Sequence, residues 1–110
     1  MNRDKNLPLT ETVYYILLAL AAPTHGYVIM QRVEELSEGQ VRLAAGTLYG
    51  AIENLLAKGL ITAMPSSDVR RKVYAISQAG KEVLFADCRR MRHMLGVTSK
   101  MFDKEMNEND

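Results

Sequence analysis

The stretch "GTLYGAIENLLAKGLI", residues 46–61, decides the fold. Leu48, Ile52, Leu55 and Leu56 recur at helical spacing, Gly59 is placed to end the helix, and a strand begins at Leu60. At about 100° per residue, Leu48, Ile52 and Leu55 define the core direction. The opposite face then carries Gly50, Asn54 and Ala57, flanked by Thr47, Glu53 and, to one side, Tyr49. A surface helix ordinarily places long charged side chains there. Gly50 costs such a helix about 1 kcal/mol relative to Ala, so its presence asks for a partner that approaches the backbone. The DNA major groove, about 12 Å wide, is such a partner. Asn54 can engage adenine bidentately, and the hydroxyls of Thr47 and Tyr49 can bind base edges or phosphate.

Upstream of this helix, expected over 45–58, Leu7-Pro8-Leu9-Thr10 reads as a helix start with Thr10 as N-cap and Glu11 in the first turn. Val13, Ile16, Leu17 and Leu20 share one face, and Pro23 is expected to stop that helix. A second helix is expected from about Gly26 to Ser37, with Ile29, Val33 and Leu36 inward and Gly39 as terminator. Gln40 to Leu43 reads as a short extended piece. Downstream, Leu60 to Met64 and Val69 to Ile76 are expected strands around a turn at Pro65-Ser66-Ser67-Asp68. Strand alternation would put Arg71 on one side of this hairpin and Arg70 and Lys72 on the other. Such a basic cluster suits phosphate clamping or insertion of one Arg into a minor groove. Ser77 can cap a last helix from about Gln78 towards residue 104.

Two helices with a tight connection followed by a two-stranded basic wing make a winged helix-turn-helix, which offers its recognition helix to the major groove and its wing to the backbone. The expected fold class is mainly α with a small β-hairpin (α+β): a winged helix-turn-helix over 1–77, a C-terminal dimerisation helix over 78–104 and an acidic frayed tail over 105–110. Charge is distributed accordingly. Net charge is only +1, yet residues 40–94 hold nine Lys/Arg against four Asp/Glu. A basic middle of the chain points to an anionic partner.

Leu84, Cys88, Met91, Leu95, Thr98 and Phe102 alternate spacings of four and three, a coiled-coil-like seam. One helix projecting from a small domain cannot bury that seam against itself entirely, so a second copy is its natural partner. Met91, Met94 and Met101 could form an adaptable pocket, although methionines at this spacing are more often core, and Gly96-Val97-Thr98-Ser99 are poor helix formers that could bend or end the helix. Enzyme chemistry finds no support. His25 and His93 stand at no catalytic spacing, Cys88 and His93 face different ways, and no phosphate-binding glycine loop occurs. No metal or cofactor is expected. A single cysteine permits no intrachain disulfide and suits a reducing compartment. The longest apolar run, Val13 to Ala22, is about half a membrane span. A cytoplasmic protein without membrane contact is expected.

Together, His25-Gly26-Tyr27, Gly46-Thr47-Leu48-Tyr49, Gly59-Leu60-Ile61, Arg70-Arg71-Lys72-Val73-Tyr74 and Gly80 resemble the PadR family of bacterial transcriptional regulators over residues 10 to about 95. The resemblance implies a homodimeric winged-helix repressor whose last helix dimerises and which binds a pseudo-palindromic operator in double-stranded DNA. It also implies DNA contacts at Thr47, Tyr49 and the wing residues Arg70, Arg71 and Lys72. With Tyr27, Arg42, Gly50 and Asn54 these are the candidate DNA contacts, and the seam residues Leu84, Cys88, Met91, Leu95 and Phe102 are the candidate dimer interface. Two departures stand out: the family's segment after Leu48-Tyr49 is usually richer in basic residues, whereas Glu53 sits in it here, and Leu56 stands where Glu is common. Some members with a short C-terminal region bind a hydrophobic small-molecule effector at the dimer interface through a Trp of the last helix. This chain has no Trp and carries Met91 near that position. A winged-helix protein-interaction module without DNA binding is the alternative, with Glu53 as its support.

Overall fold

A computed structural model describes residues 4–68 and 70–109. Helix α1 (Glu11–Ala19) starts on Thr10, whose Oγ1 accepts the Val13 N–H at 3.1 Å. It ends four residues before Pro23, not at it. Arg32 crosses from the next helix and donates to the Ala19 and Ala22 carbonyls, at 2.9 and 3.0 Å, satisfying the frayed end that Pro23 was expected to define. Strand β1 (Thr24–His25) then leads directly into α2 (Gly26–Leu36). The backbone turns left-handed at Glu38 and Gly39, and the Gly39 N–H bonds back to Glu34 at 2.8 Å.

The extended piece at Gln40–Leu43 forms no strand. Ser37 Oγ accepts the Val41 N–H at 2.9 Å and Val41 turns into the core, so the segment is a buried connection rather than a sheet partner. Helix α3 (Ala45–Ala57) follows and closes as expected: Gly59 has φ +71°, its N–H bonds to Leu56, and the Leu60 N–H reaches Leu55, each at 3.0 Å. These two bonds are the Schellman pattern that a glycine after a helix permits.

Strands β2 (Ile61–Met64) and β3 (Val73–Ile76) pair antiparallel with Ile61 opposite Ile76 and Met64 opposite Val73. β1 adds to the free edge of β3 through Thr24 opposite Tyr74, so the sheet has three strands in the order β1-β3-β2. β3 is shorter than the expected Val69–Ile76. Arg70, Arg71 and Lys72 precede it in the wing loop, and strand alternation therefore does not govern their directions. Val69 lies outside the described residues.

The core is built where α1, α2, α3 and the sheet meet, from Ile16, Leu17, Leu20, Ile29, Val33, Leu48, Ile52, Leu55 and Ile61. Leu36, expected inward, is 51% exposed, at the edge of an open depression that it shares with Leu18 and Ala19 of α1. Helix α4 (Gln78–Asn109) is capped by Ser77, whose Oγ accepts the Gly80 N–H at 3.0 Å and donates to the Gly59 carbonyl at 2.7 Å. The helix passes straight through Gly96–Ser99. Its one non-helical residue is Phe102 (φ −134°, ψ 15°), where it kinks. The segment 105–110, expected to fray, continues the helix as far as Asn109; Asp110 lies outside the described residues. No described helix is long and apolar enough to cross a membrane.

Candidate nucleic-acid interface

α3 buries Leu48, Ile52 and Leu55 and turns its small residues outward. A Cβ added at Gly46 or Gly50 would meet nothing within 4 Å, so the backbone there is open to an approaching surface. To one side of this bare face stand Tyr49, Glu53 and Leu56. With His25, Gly26 and Tyr27 of α2, Tyr74 of β3 and Arg70, Arg71 and Lys72 of the wing, they line a cleft of about 590 Å³. To the other side, Asn54 lines a smaller depression of about 120 Å³ shared with Lys58 and with Asn6, Pro8 and Leu9 of the N-terminal segment. Asn54 thus flanks the bare face from the edge away from the wing. Thr47 is exposed in the first turn.

The sequence did not disclose how Tyr49 is held. Its hydroxyl lies against Gly26, where an added Cβ would stand 2.6 Å from that oxygen. Half of Tyr49 remains exposed, and so does most of Tyr27 beside it. A phenol is therefore fixed at the first turn of α2. The α2 and α3 N-caps, His25 and Ala44, make no side-chain capping bond, whereas Thr10 and Ser77 cap α1 and α4. The first-turn N–H groups of both helix-turn-helix helices are thus not taken by their own N-cap side chains.

The wing is organised from its acidic residue. Asp68 Oδ1 accepts the Arg70 N–H at 2.9 Å, its carbonyl accepts the Arg71 N–H at 3.0 Å, and its own N–H donates to Ser66 Oγ at 3.2 Å. These bonds order the turn and leave the Arg70, Arg71 and Lys72 side chains exposed, with no ion pair among the described residues. Arg42, by contrast, is engaged on the surface by Glu34 at 3.1 Å, away from the cleft. Tyr74 lies at the cleft floor. Burial, and then the neighbouring Tyr49 and Glu53, hold its phenol above the ordinary value of 10.0.

The candidate dimer residues divide. Leu84 is only 6% exposed because it packs into the core of its own domain, together with Val83; it is a core residue rather than part of a free interface. Cys88 is half-buried beside α1, where burial and the Cys88 thiol, followed by the Asp87 carboxylate, raise the phenol of Tyr14. Asp87, almost wholly buried, is paired with Arg90. Beyond this point α4 leaves the domain, and Met91, Leu95 and Phe102 are exposed together with Met94, Val97 and Met101.

A three-stranded winged helix-turn-helix with an open recognition-helix face and a basic wing defines a class of protein, the winged-helix regulators. A family model for the transcriptional regulator PadR-like family matches residues 14–86, and the chain belongs to that family. It is a family of transcriptional regulators, not of enzymes. Among solved structures, the chain resembles a transcriptional regulator from Clostridium thermocellum, with 19% identity, 91% of this chain and 97% of that one covered, and a TM-score of 0.68. It also resembles a PadR family transcription regulator from a hypervirulent Clostridium difficile, with 23% identity, coverage of 81% and 96%, and a TM-score of 0.66. An uncharacterised 37.1 kDa protein in transposon TN4556 of Streptomyces fradiae is 35% identical over 82 residues, 74% of this chain. The match spans only 23% of that relative's length.

Proposed function

We propose that this chain is a cytoplasmic, homodimeric transcriptional repressor that binds a pseudo-palindromic operator in double-stranded DNA, inserting α3 into the major groove and laying the wing along the adjoining backbone. The observation that carries this reading is the bare face of α3: Gly46 and Gly50 open to solvent, with a basic wing on one flank and Asn54 on the other. Phosphates would be held by Arg70, Arg71, Lys72, the Tyr49 hydroxyl and the N–H groups at the start of α2, while Asn54 and Thr47 would read base edges. Tyr27, beside Tyr49 in the same cleft, would contact the same backbone, and Arg42 would first have to leave Glu34. Met91, Met94 and Leu95 offer the surface on which a hydrophobic effector would lie between protomers.

Fluorescence anisotropy on cognate and random duplexes across a salt series tests the assignment. Arg71→Ala should weaken both duplexes alike and lower the salt slope by about one for each phosphate no longer neutralised. Asn54→Ala should cost about 1–3 kcal/mol per base contact on the cognate site and little on random DNA. No binding by the wild type to any duplex at low salt would instead favour a protein-interaction module, with the exposed Glu53 on the face that meets the partner.

A further inference from the structure

Glu53 is the one charged residue of α3, and it stands on the side of the helix offered to a polyanion. We infer that Glu53 reads sequence: its carboxylate accepts a hydrogen bond from the amino group of a cytosine in the major groove of each half-site. This rests on the DNA binding proposed above and adds a base-reading residue and the base that it recognises.

Placement, charge and chemistry carry it. At about 100° per residue, Glu53 and Asn54 project roughly 40–60° to either side of the stripe formed by Gly46, Gly50 and Ala57. Both are exposed, and nothing stands above Gly46 or Gly50 to hold a groove away from them. Glu53 is thus the counterpart of Asn54 on the edge nearer the wing. There it shares a cleft with Arg70, Arg71 and Lys72, yet it forms no ion pair among the described residues, so it does not serve to hold the wing. The wing's own carboxylate, Asp68, is engaged with the backbone of its turn. On a phosphate-binding surface an unpaired carboxylate works against the three basic residues and weakens binding to any duplex. What offsets that loss must be found on the bases. An ionised carboxylate can only accept hydrogen bonds. In the major groove guanine meets it with two acceptors, thymine with an acceptor and a methyl group, and adenine with an amino group beside the N7 acceptor. Cytosine offers an amino donor and no acceptor of its own, and it is the base that Glu and Asp recognise. A carboxylate at this position therefore disfavours random sequence and is compensated at cytosine.

Selection from a random duplex library, followed by fluorescence anisotropy on the selected duplexes, tests the assignment. The wild type should select a C·G pair at one position of each half-site. Replacing that pair by T·A, which exchanges the amino donor for an acceptor, should weaken binding roughly tenfold or more. Glu53→Ala should bind the two duplexes alike, and should bind random duplexes at least as tightly as the wild type, because a negative charge has gone. Glu53→Gln, whose amide can bond adenine through N6 and N7, should select A·T at the same position. Glu53 is exposed and both replacements are good helix formers, so folding is not at stake. A wild type that selects duplexes without such a pair, or variants that keep its preference for C·G, would overturn the assignment. So would a Glu53→Ala protein weakened equally on selected and random duplexes, which marks a residue that only positions the wing. A wild type that binds no duplex at low salt would instead remove the DNA binding itself.

Discussion

A Cβ added at Gly80 would stand 2.0 Å from the Leu60 carbonyl oxygen, where α4 crosses the end of α3 and Ser77 ties the two together. Backbone cannot give way there as a side chain could. Gly80→Ala should therefore destabilise the fold by at least the 1–3 kcal/mol or so typical of overpacking, read as a lower denaturation midpoint. An unchanged midpoint would mean that α4 can shift. Gly26 is different in kind, because what its Cβ would meet is the tip of Tyr49. Gly26→Ala should leave the denaturation midpoint close to wild type and weaken DNA binding about as much as Tyr49→Phe does. Reduced stability with DNA binding intact would contradict the role given to Tyr49. Both glycines belong to the motifs that carry the family resemblance, but neither close approach could be read from the chain. Each joins residues far apart in sequence, and no local pattern distinguishes a glycine kept for close approach from one kept for a turn.

Among the elements, α3 and its ending were the most legible, since a four-residue apolar face and a glycine stop are local signals and the Schellman bonds fall on the expected residues. β1 was the least. Two residues carry no period, and Thr24–His25 is a strand only because β3 offers it an edge. Gln40–Leu43 reads as extended in sequence but forms no strand, because Ser37 claims the Val41 N–H that a sheet partner would have needed. The wing loop took Arg70 to Lys72 out of β3 because Asp68 binds the backbone of both arginines. β3 also sets a pH limit through Tyr74. A phenol raised in the folded state stabilises the fold fully below its unfolded value, and that stability is lost as pH climbs through the higher folded value. Unfolding measured from pH 8 upward should thus show stability falling above pH 10 or so, and Tyr74→Phe should lessen the fall. An identical alkaline profile in the variant would show that another group, Tyr14 first, is responsible.

For the molecule as a whole, the outer half of α4 would be an exposed apolar stripe on a single chain, which small proteins seldom carry without a partner. The seam was legible from its spacing, but its division was not: only packing shows that Leu84 belongs to the domain and Met91 to the free half. Sedimentation should give a dimer at micromolar concentration, and Met91→Asp with Leu95→Asp should give a folded monomer, since both residues are exposed in one chain. A wild-type monomer would refute it. In the DNA complex, such a dimer should protect two half-sites about one helical turn, or roughly 34 Å, apart. The central claim is that the low outer face of α3 is there to let DNA approach, and one substitution separates that from every structural role. Gly50→Leu removes a poor helix former from an exposed helix interior, where nothing lies within 4 Å to clash, so stability should rise by up to about 1 kcal/mol. Measured by anisotropy beside a denaturation curve, the variant should be at least as stable as the wild type and should no longer bind DNA specifically. A stable Gly50→Leu protein that binds its operator as tightly as the wild type would contradict the account.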